Sequence, residues 1–251
     1  MRAMLKNFIT AVQFLTIVTV KKGHQVGENE LAKSMVYFPI VGFGLGFILV
    51  YADKGLLWVL PHSITNALLV FIAVLLTRAL HIDGLADTLD GMMGGYDKQS
   101  RLHIMKDSRL GTAGALGIMF LLLVKYVALN NLFSGEKVAA LLVAPLLARW
   151  SQTLMVYRSV YGREEGMGSA FVGHLRGSGM IAASAVAIGL AGWVSGFSAV
   201  YLVAAVAVFT LLSRWYFIRK LGGVTGDTIG AVSELNEALV LLLFVVLSNG
   251  E

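Results

Sequence analysis

Long apolar stretches separated by polar loops dominate the chain. An α-helix needs about 20 mostly apolar residues to cross a hydrocarbon core about 30 Å thick. Seven stretches approach or exceed that length, at residues 38–60, 63–81, 110–133, 138–157, 179–197, 199–218 and 231–249. This pattern predicts an all-α, polytopic membrane helix bundle with about seven transmembrane helices. No Pro-, Ser- or charge-rich linker interrupts it, so we expect a single integral membrane domain over residues 1–251.

The first apolar segment, residues 3–20, differs from the others. It is shorter, carries Lys6 and Gln13, and has basic residues at both ends. No small-x-small cleavage site precedes Lys21, so we expect the segment to be retained rather than removed as a signal peptide. Its composition favours an amphipathic helix lying in the membrane interface, with an additional membrane helix as the alternative.

Composition narrows the class of protein further. The chain is 57% apolar and only 14% charged, whereas a soluble domain is about one quarter charged. The net charge of +5 comes from basic residues scattered over separate loops, so we expect no nucleic-acid partner. The absence of cysteine excludes disulfides, thiolate metal sites and cysteine catalysis.

The basic residues predict an orientation for the bundle. With residues 21–37 inside, the inward loops are 82–109, 158–178 and 219–230, and these hold nine Lys or Arg residues. The outward turns hold only Lys137. Lys and Arg concentrate in cytoplasmic loops, so the long loops are assigned to the cytoplasmic side of a bacterial or archaeal inner membrane.

An acidic motif follows the second apolar segment. Asp83, Asp87 and Asp90 are spaced i, i+4 and i+7, which puts them on one face if the stretch is helical. Two such carboxylates about 6 Å apart repel by about 3 kcal/mol at an effective dielectric near 20. A hard cation such as Mg²⁺, which commonly bridges carboxylates and substrate phosphates, would compensate. The alternative is a solvated helix end whose acids pair with Lys98 or Arg101.

A basic motif precedes the third apolar segment. It comprises Lys106, Asp107, Ser108 and Arg109. We expect Asp107 or Ser108 to cap the following helix. The free N–H groups of that helix, with Lys106 and Arg109, would then form an anion site facing the aspartates. The alternative is a plain cap with basic membrane anchors.

The two remaining inward loops add polar candidates. A glycine-rich turn can hold phosphate through its backbone amides, and the turn at 222–227 is of this kind; the alternative is an ordinary turn between helices. The polar loop at 163–168 is either a substrate contact or a solvated connection. His81 is either a general base or a hydrogen-bonding anchor. The candidate substrate contacts in these loops and the helix that follows are Arg163, Glu164, Glu165, Gly222, Gly223, Thr225, Asp227 and Glu234.

Together these residues indicate magnesium-assisted transfer at a phosphoanhydride on the cytoplasmic membrane face. A metal would neutralise the diphosphate while Lys and Arg clamp it.

Five runs of sequence resemble the cobalamin synthase family, also called adenosylcobinamide-GDP ribazoletransferases. They are YFPIVGFGLG (37–46), HIDGLADTLDG (81–91), IMKDSRLGTAG (104–114), YGREEGMGSAFVG (161–173) and GGVTGDTIGA (222–231). The resemblance implies an integral membrane enzyme that joins adenosylcobinamide-GDP to α-ribazole or its 5′-phosphate, with Mg²⁺, and releases GMP. It also implies that Asp83, Asp87 and Asp90 serve the metal and the diphosphate.

One segment departs from the family pattern. An Arg-x-Pro-x-Pro-like stretch usually follows Phe-Leu-Thr, whereas this chain continues from Thr16 as Ile-Val-Thr-Val. The role of that stretch in this chain is therefore open.

Three other functions compete with this interpretation. In CDP-alcohol phosphotransferases an Arg follows the alanine of the aspartate-containing motif, but in this chain Asp87 follows Ala86. Prenyltransferases need a second Asp-rich motif, which the chain lacks. A transporter would place its acids near the bilayer midplane, often in repeated halves, and no repeat is evident. The sequence leaves the preferred nucleophile and the oligomeric state open.

Overall fold

The computed structural model describes residues 2–20, 27–166 and 168–248 of the chain. Its described part is helical, and the only strand-like pairing there is one isolated bridge between Tyr161 and Val224. The helices are α1 (Arg2–Leu15), α2 (Glu28–Ser34), α3 (Phe38–Leu56), α4 (His62–Leu76), α5 (Leu80–Gly94), α6 (Lys98–Ile104), α7 (Thr112–Asn130), α8 (Ser134–Val156), α9 (Gly177–Ser195), α10 (Ser198–Leu221) and α11 (Gly226–Ser248). A 3₁₀ turn at Met35–Tyr37 joins α2 to α3. The predicted all-α class is confirmed.

In the described part of the chain, six stretches of helix are long and apolar enough to cross a membrane. They are Glu30–Leu56, Thr112–Asn130, Ser134–Val156, Gly177–Ser195, Ser198–Leu221 and Gly226–Ser248. A seventh crossing results if the bent pair α4 and α5 counts as one span. The protein is therefore a multi-pass membrane helix bundle, as predicted, with six such spans in its described part, or up to seven.

The second predicted crossing, residues 63–81, is not one continuous helix. α4 ends before a three-residue break, and α5 leaves it at 88°. Arg78 and Ala79 adopt left-handed φ angles of 53° and 56°, which non-glycine residues rarely do. The Arg78 guanidinium supports this break by donating to the carbonyl oxygens of Gln13 (2.9 Å) and Thr16 (2.8 Å) at the end of α1. The break turns the acidic motif across the end of the bundle.

α1 is too short to cross a bilayer. Its 14 residues span about 21 Å at 1.5 Å per residue, against a hydrocarbon core of about 30 Å. Ala11 and Leu15 are buried against the bundle, whereas Met4 and Leu5 are exposed. This geometry suits the interfacial helix that the sequence favours.

α8 forms the centre of the bundle and packs closely against α3. Pro39 lies in the first turn of α3, where its missing N–H leaves no helical hydrogen bond unmade. A Cβ at Gly42 would lie 2.2 Å from the carbonyl oxygen of Pro145, and one at Gly46 would lie 2.6 Å from that of Leu141. These two glycines therefore let the backbones of α3 and α8 touch, as small residues do between membrane helices.

A second close crossing joins α5 to α11. A Cβ at Gly84 would lie 2.8 Å from the carbonyl oxygen of Asp227, and one at Gly230 would lie 3.2 Å from Cα of His81. Each helix therefore contributes one glycine to a direct backbone contact. This crossing brings the motif at 81–91 against the start of α11.

Candidate active site

A cavity of about 140 Å³ lies where α5 crosses α11. α8 and the loop at 157–176 complete its walls. The polar side chains that line it are His81, Asp83, Gln152, Tyr161, Arg163 and Asp227. The aromatic side chains on its other wall are Phe14, Phe38 and Phe171. Three of the predicted motifs thus meet at one cavity with a polar half and an aromatic half.

Arg163 and Asp227 form an ion pair inside this cavity. Arg163 Nη2 lies 2.5 Å from Asp227 Oδ2, and the two side chains are only 11% and 21% exposed. Arg163 Nη2 also donates to the carbonyl oxygen of Met105 at 3.3 Å. The guanidinium is therefore held in place before any substrate arrives.

Backbone pairing positions Arg163 beside the start of α11. The N–H of Gly162 donates to the carbonyl oxygen of Val224 (2.9 Å), and the N–H of Val224 donates to that of Val160 (2.9 Å). A Cβ at Gly223 would lie 2.4 Å from the Val160 carbonyl oxygen, so only glycine fits there. The 222–225 turn thus fastens the Arg163 loop to α11.

Asp83 and Asp227 line this cavity, whereas Asp87 and Asp90 do not. The Asp87 carboxylate is repelled by those of Asp227, Asp83 and Asp90 and attracted by the Arg163 guanidinium. Within the described part of the chain, no three His, Asp or Glu side chains form a metal site by themselves. Mg²⁺ usually takes one or two protein carboxylates and fills its other positions with water and substrate phosphate. The residues present therefore fit a magnesium ion that is shared with a phosphate ligand.

Asp90 has a different role from that of its neighbours. Its Oδ2 accepts from the N–H of Gly111 (2.8 Å) and its Oδ1 from the N–H of Gly114 (2.8 Å). The N-cap of α7 is Gly111, which has no side-chain cap of its own. The expectation that Asp107 or Ser108 caps this helix was therefore wrong, because Asp90 reaches over from α5. Two of the N–H groups at the start of α7, those of Gly111 and Gly114, are therefore already occupied.

The 106–109 motif lies outside the cavity, since none of its four residues lines it. Arg109 is 87% exposed and pairs with Asp107, with Nη2 2.5 Å from Oδ2 and Nε 3.0 Å from both carboxylate oxygens. These hydrogen bonds and the backbone N–H of Arg109 lower the pKa of Asp107 to about 2. Lys106 and Ser108 are exposed. The four residues form a separate surface next to the site.

The remaining candidate residues lie in the turn before α11, in the exposed loop after Arg163 and in the core of the bundle. Thr225 and Thr228 cap α11 reciprocally, since each N–H donates to the hydroxyl oxygen of the other at 2.8 and 3.2 Å. Gly222 takes a φ of 75° at the end of α10, where glycine is favoured. Glu164 and Glu165 are exposed. Glu234 lies two turns into α11, in a cluster of buried charges.

This cluster of buried charges was not predicted from the sequence. Lys125 Nζ lies 2.6 Å from Glu234 Oε2 and 2.9 Å from Glu237 Oε1, and Arg149 Nη1 lies 2.8 Å from Glu237 Oε2. All four side chains are less than 10% exposed, and their charges balance. The available signal was a Lys and an Arg inside predicted apolar spans, since such residues are usually paired and functional.

Gln152 links His81 on α5 to Ser233 on α11. Gln152 Nε2 donates to Ser233 Oγ at 2.9 Å and lies 2.9 Å from His81 Nε2. An amide nitrogen is a donor, so His81 Nε2 accepts and the ring proton is on Nδ1. His81 Nδ1 has no hydrogen-bond partner, and the ring lines the cavity. His81 is therefore anchored through Nε2, and its Nδ1 is buried without a partner.

The fold and the site define a multi-pass membrane protein with a polar, enzyme-like cavity. The family model described as cobalamin-5-phosphate synthase matches residues 7–245. The chain belongs to this family, so the predicted resemblance is confirmed.

Relatives cover nearly the whole chain. A Geotalea daltonii protein named adenosylcobinamide-GDP ribazoletransferase is 40% identical over 98% of this chain and 99% of its own length. Proteins of the same name from Syntrophobacter fumaroxidans (39% identity, 95% and 97% coverage) and Alkaliphilus metalliredigens (34%, 98% and 97%) are also similar. No solved structure matches the chain. These relatives are transferases, and the chain is an enzyme of the same class.

Proposed function

We propose that this chain transfers the adenosylcobinamide phosphate group of adenosylcobinamide-GDP to α-ribazole or its 5′-phosphate, releasing GMP, in the cavity between α5, α8 and α11. Membership of the family and the names of the relatives support the reaction. One structural observation supports the location. Asp83, Arg163 and Asp227 come from three separate motifs and line the same cavity.

In this reaction a hydroxyl oxygen of the acceptor attacks the phosphorus that carries the corrinoid. The bond to the bridging oxygen of the diphosphate breaks, that oxygen leaves with GMP, and the hydroxyl proton is released. Negative charge therefore grows on the bridging oxygen. Fixed cationic and N–H donors stabilise such charge most when they are oriented in advance.

Arg163 and His81 are oriented in this way. Asp227 and the Met105 carbonyl hold the Arg163 guanidinium, which can bind phosphate oxygens in pairs. Gln152 holds the His81 ring in place through Nε2. We propose that Asp83 and Asp87 hold Mg²⁺, which when bound would neutralise the diphosphate. Asp90 is excluded from this set by its bonds to α7.

The aromatic half of the cavity suits the acceptor. Ring centroids lie 4.8 Å apart for Phe14 and Phe171 and 5.9 Å apart for Phe14 and Phe38. Such a cluster packs against a planar heterocyclic base and excludes water from the reacting atoms. We propose that the base of α-ribazole lies here, with its ribose directed toward Arg163.

We also propose that the cavity faces the cytoplasm of a bacterial or archaeal inner membrane. The basic residues of loops 82–109 and 158–178 flank it, and such loops remain cytoplasmic.

Release of GMP tests the reaction. The purified protein in lipid nanodiscs is incubated with adenosylcobinamide-GDP, α-ribazole and Mg²⁺, and nucleotides are separated by chromatography. We expect GMP and the joined corrinoid in equal amounts. No GMP from the wild-type protein would refute the proposed function.

A further inference from the structure

A second, larger depression adjoins the active-site cavity. It has a volume of about 630 Å³ and lies between α6 and the loop that carries Arg163. Its polar side chains are Lys98, Gln99, His103, Lys106, Arg163 and Glu164, which we call the basic groove. Tyr161 and Arg163 line both the groove and the cavity, so the two spaces meet at these residues.

α6 and the turn after it carry two of the groove's cations. Lys98 and Leu102 are four residues apart and share a face of α6, and Lys106 lies in the turn just beyond the end of this helix. Asp97 and Ser100 form a capping box, with Ser100 N–H to Asp97 Oδ1 at 2.8 Å and Asp97 N–H to Ser100 Oγ at 3.0 Å. A Cβ at Gly222 would lie 2.5 Å from Lys98 Nζ, so Lys98 reaches the glycine-rich turn.

The size of the two spaces indicates how a large donor is divided between them. Pockets for small organic ligands usually measure about 300–1,000 Å³. The cavity, at about 140 Å³, is smaller than this range, whereas the groove, at about 630 Å³, lies within it. The groove therefore has room for the nucleoside phosphate part of the donor.

Charge leads to the same conclusion. Three permanent cations, Lys98, Lys106 and Arg163, line the groove against one carboxylate, Glu164. A concave surface of one sign raises the local concentration of a ligand of the opposite sign. Gln99 and His103 add hydrogen-bonding groups that suit the edge of a base rather than a hydrocarbon.

We propose that the basic groove binds the guanosine phosphate part of the donor and holds it until it leaves as GMP, an inference that rests on the proposed function. The diphosphate then lies at the junction, with Arg163 on its bridging region. The leaving nucleotide departs along α6 toward water, away from the aromatic wall that receives the acceptor.

GMP binding to the whole protein tests this inference. The wild-type protein in nanodiscs with Mg²⁺ and a variant carrying Lys98→Glu with Lys106→Glu are titrated with GMP by calorimetry. Reversing two exposed charges is expected to raise the dissociation constant by about tenfold, which corresponds to about 1.4 kcal/mol. Lys220→Glu, which reverses one exposed charge outside the groove, should change it less than twofold.

The kinetics provide an independent measurement. The double variant should show a raised KM for adenosylcobinamide-GDP and an unchanged KM for α-ribazole, and its donor KM should depend less on salt. Equal GMP affinity in wild-type and double-variant proteins would overturn the inference. If the wild-type protein turns over while the double variant keeps a normal donor KM, the groove assignment fails and the proposed reaction stands. If the wild-type protein binds GMP but releases none from the donor, the reaction itself fails.

Discussion

Lys125→Met is expected to destabilise the protein strongly. Lys125 contacts two buried carboxylates, Glu234 at 2.6 Å and Glu237 at 2.9 Å, and its own side chain is 6% exposed. Removing it leaves two negative charges against the single positive charge of Arg149. Removing one partner of a buried ion pair costs about 3–5 kcal/mol. Two contacts are lost here, so we expect a value near 5 kcal/mol, against a typical total stability of about 5–15 kcal/mol.

A second variant isolates the effect of charge from that of shape. Glu234→Gln combined with Lys125→Met leaves only the pair between Arg149 and Glu237, which is again neutral. We expect this double variant to recover more than half of the lost stability. Unfolding is followed in detergent by the exposure of cysteines introduced at buried positions of the naturally cysteine-free chain. A Lys125→Met protein as stable as wild type, or a double variant no better than the single one, would refute this reasoning.

Three further predictions concern helix contacts and topology. Gly84→Ala should abolish GMP release, because the new Cβ would lie 2.8 Å from the Asp227 carbonyl oxygen, while Gly189→Ala, which meets no atom within 4 Å, should be neutral in the same assay. Asp90→Ala should lower the free energy of unfolding by about 1–2 kcal/mol, because the α7 cap is lost, and chemical unfolding measures this change. A loss no larger than that of an ordinary surface substitution would contradict the cap. In intact cells, Lys98→Cys should react only with membrane-permeant reagents and Gly135→Cys also with impermeant ones; the reverse pattern would invert the orientation.

Much of the fold was predictable because membrane spans have a strong sequence signal. Hydrophobic length alone located the crossings to within a few residues. The break at residues 77–79 had no such signal. Arg78 and Ala79 are neither glycine nor proline, and their left-handed conformation depends on the contact of Arg78 with α1. Tertiary contacts between distant segments therefore decided the bend.

The site was predictable in its composition but only partly in its geometry. The spacing of Asp83, Asp87 and Asp90 correctly put them on one helix, yet it could not show that α7 takes up Asp90. Asp107 has the residue type of a cap and lies close to α7 in sequence, but its carboxylate pairs with Arg109 instead. Local motifs identify candidate groups, whereas the helix crossings decide which of them share a cavity.

The role of Asp227 at the crossing of α5 and α11 is the central claim, and GMP release by Asp227→Asn tests it most directly. Asparagine keeps the size of the side chain but removes the charge that holds Arg163. Glu136→Gln at the far end of α8 is the matched control, because glutamine preserves the hydrogen bond to the Phe133 N–H. With both proteins folded in nanodiscs, we predict that Asp227→Asn lowers kcat by at least about 100-fold, or about 2.7 kcal/mol, and that Glu136→Gln has wild-type kinetics. An Asp227→Asn protein that releases GMP at the rate of the control would contradict the assignment of this cavity as the active site.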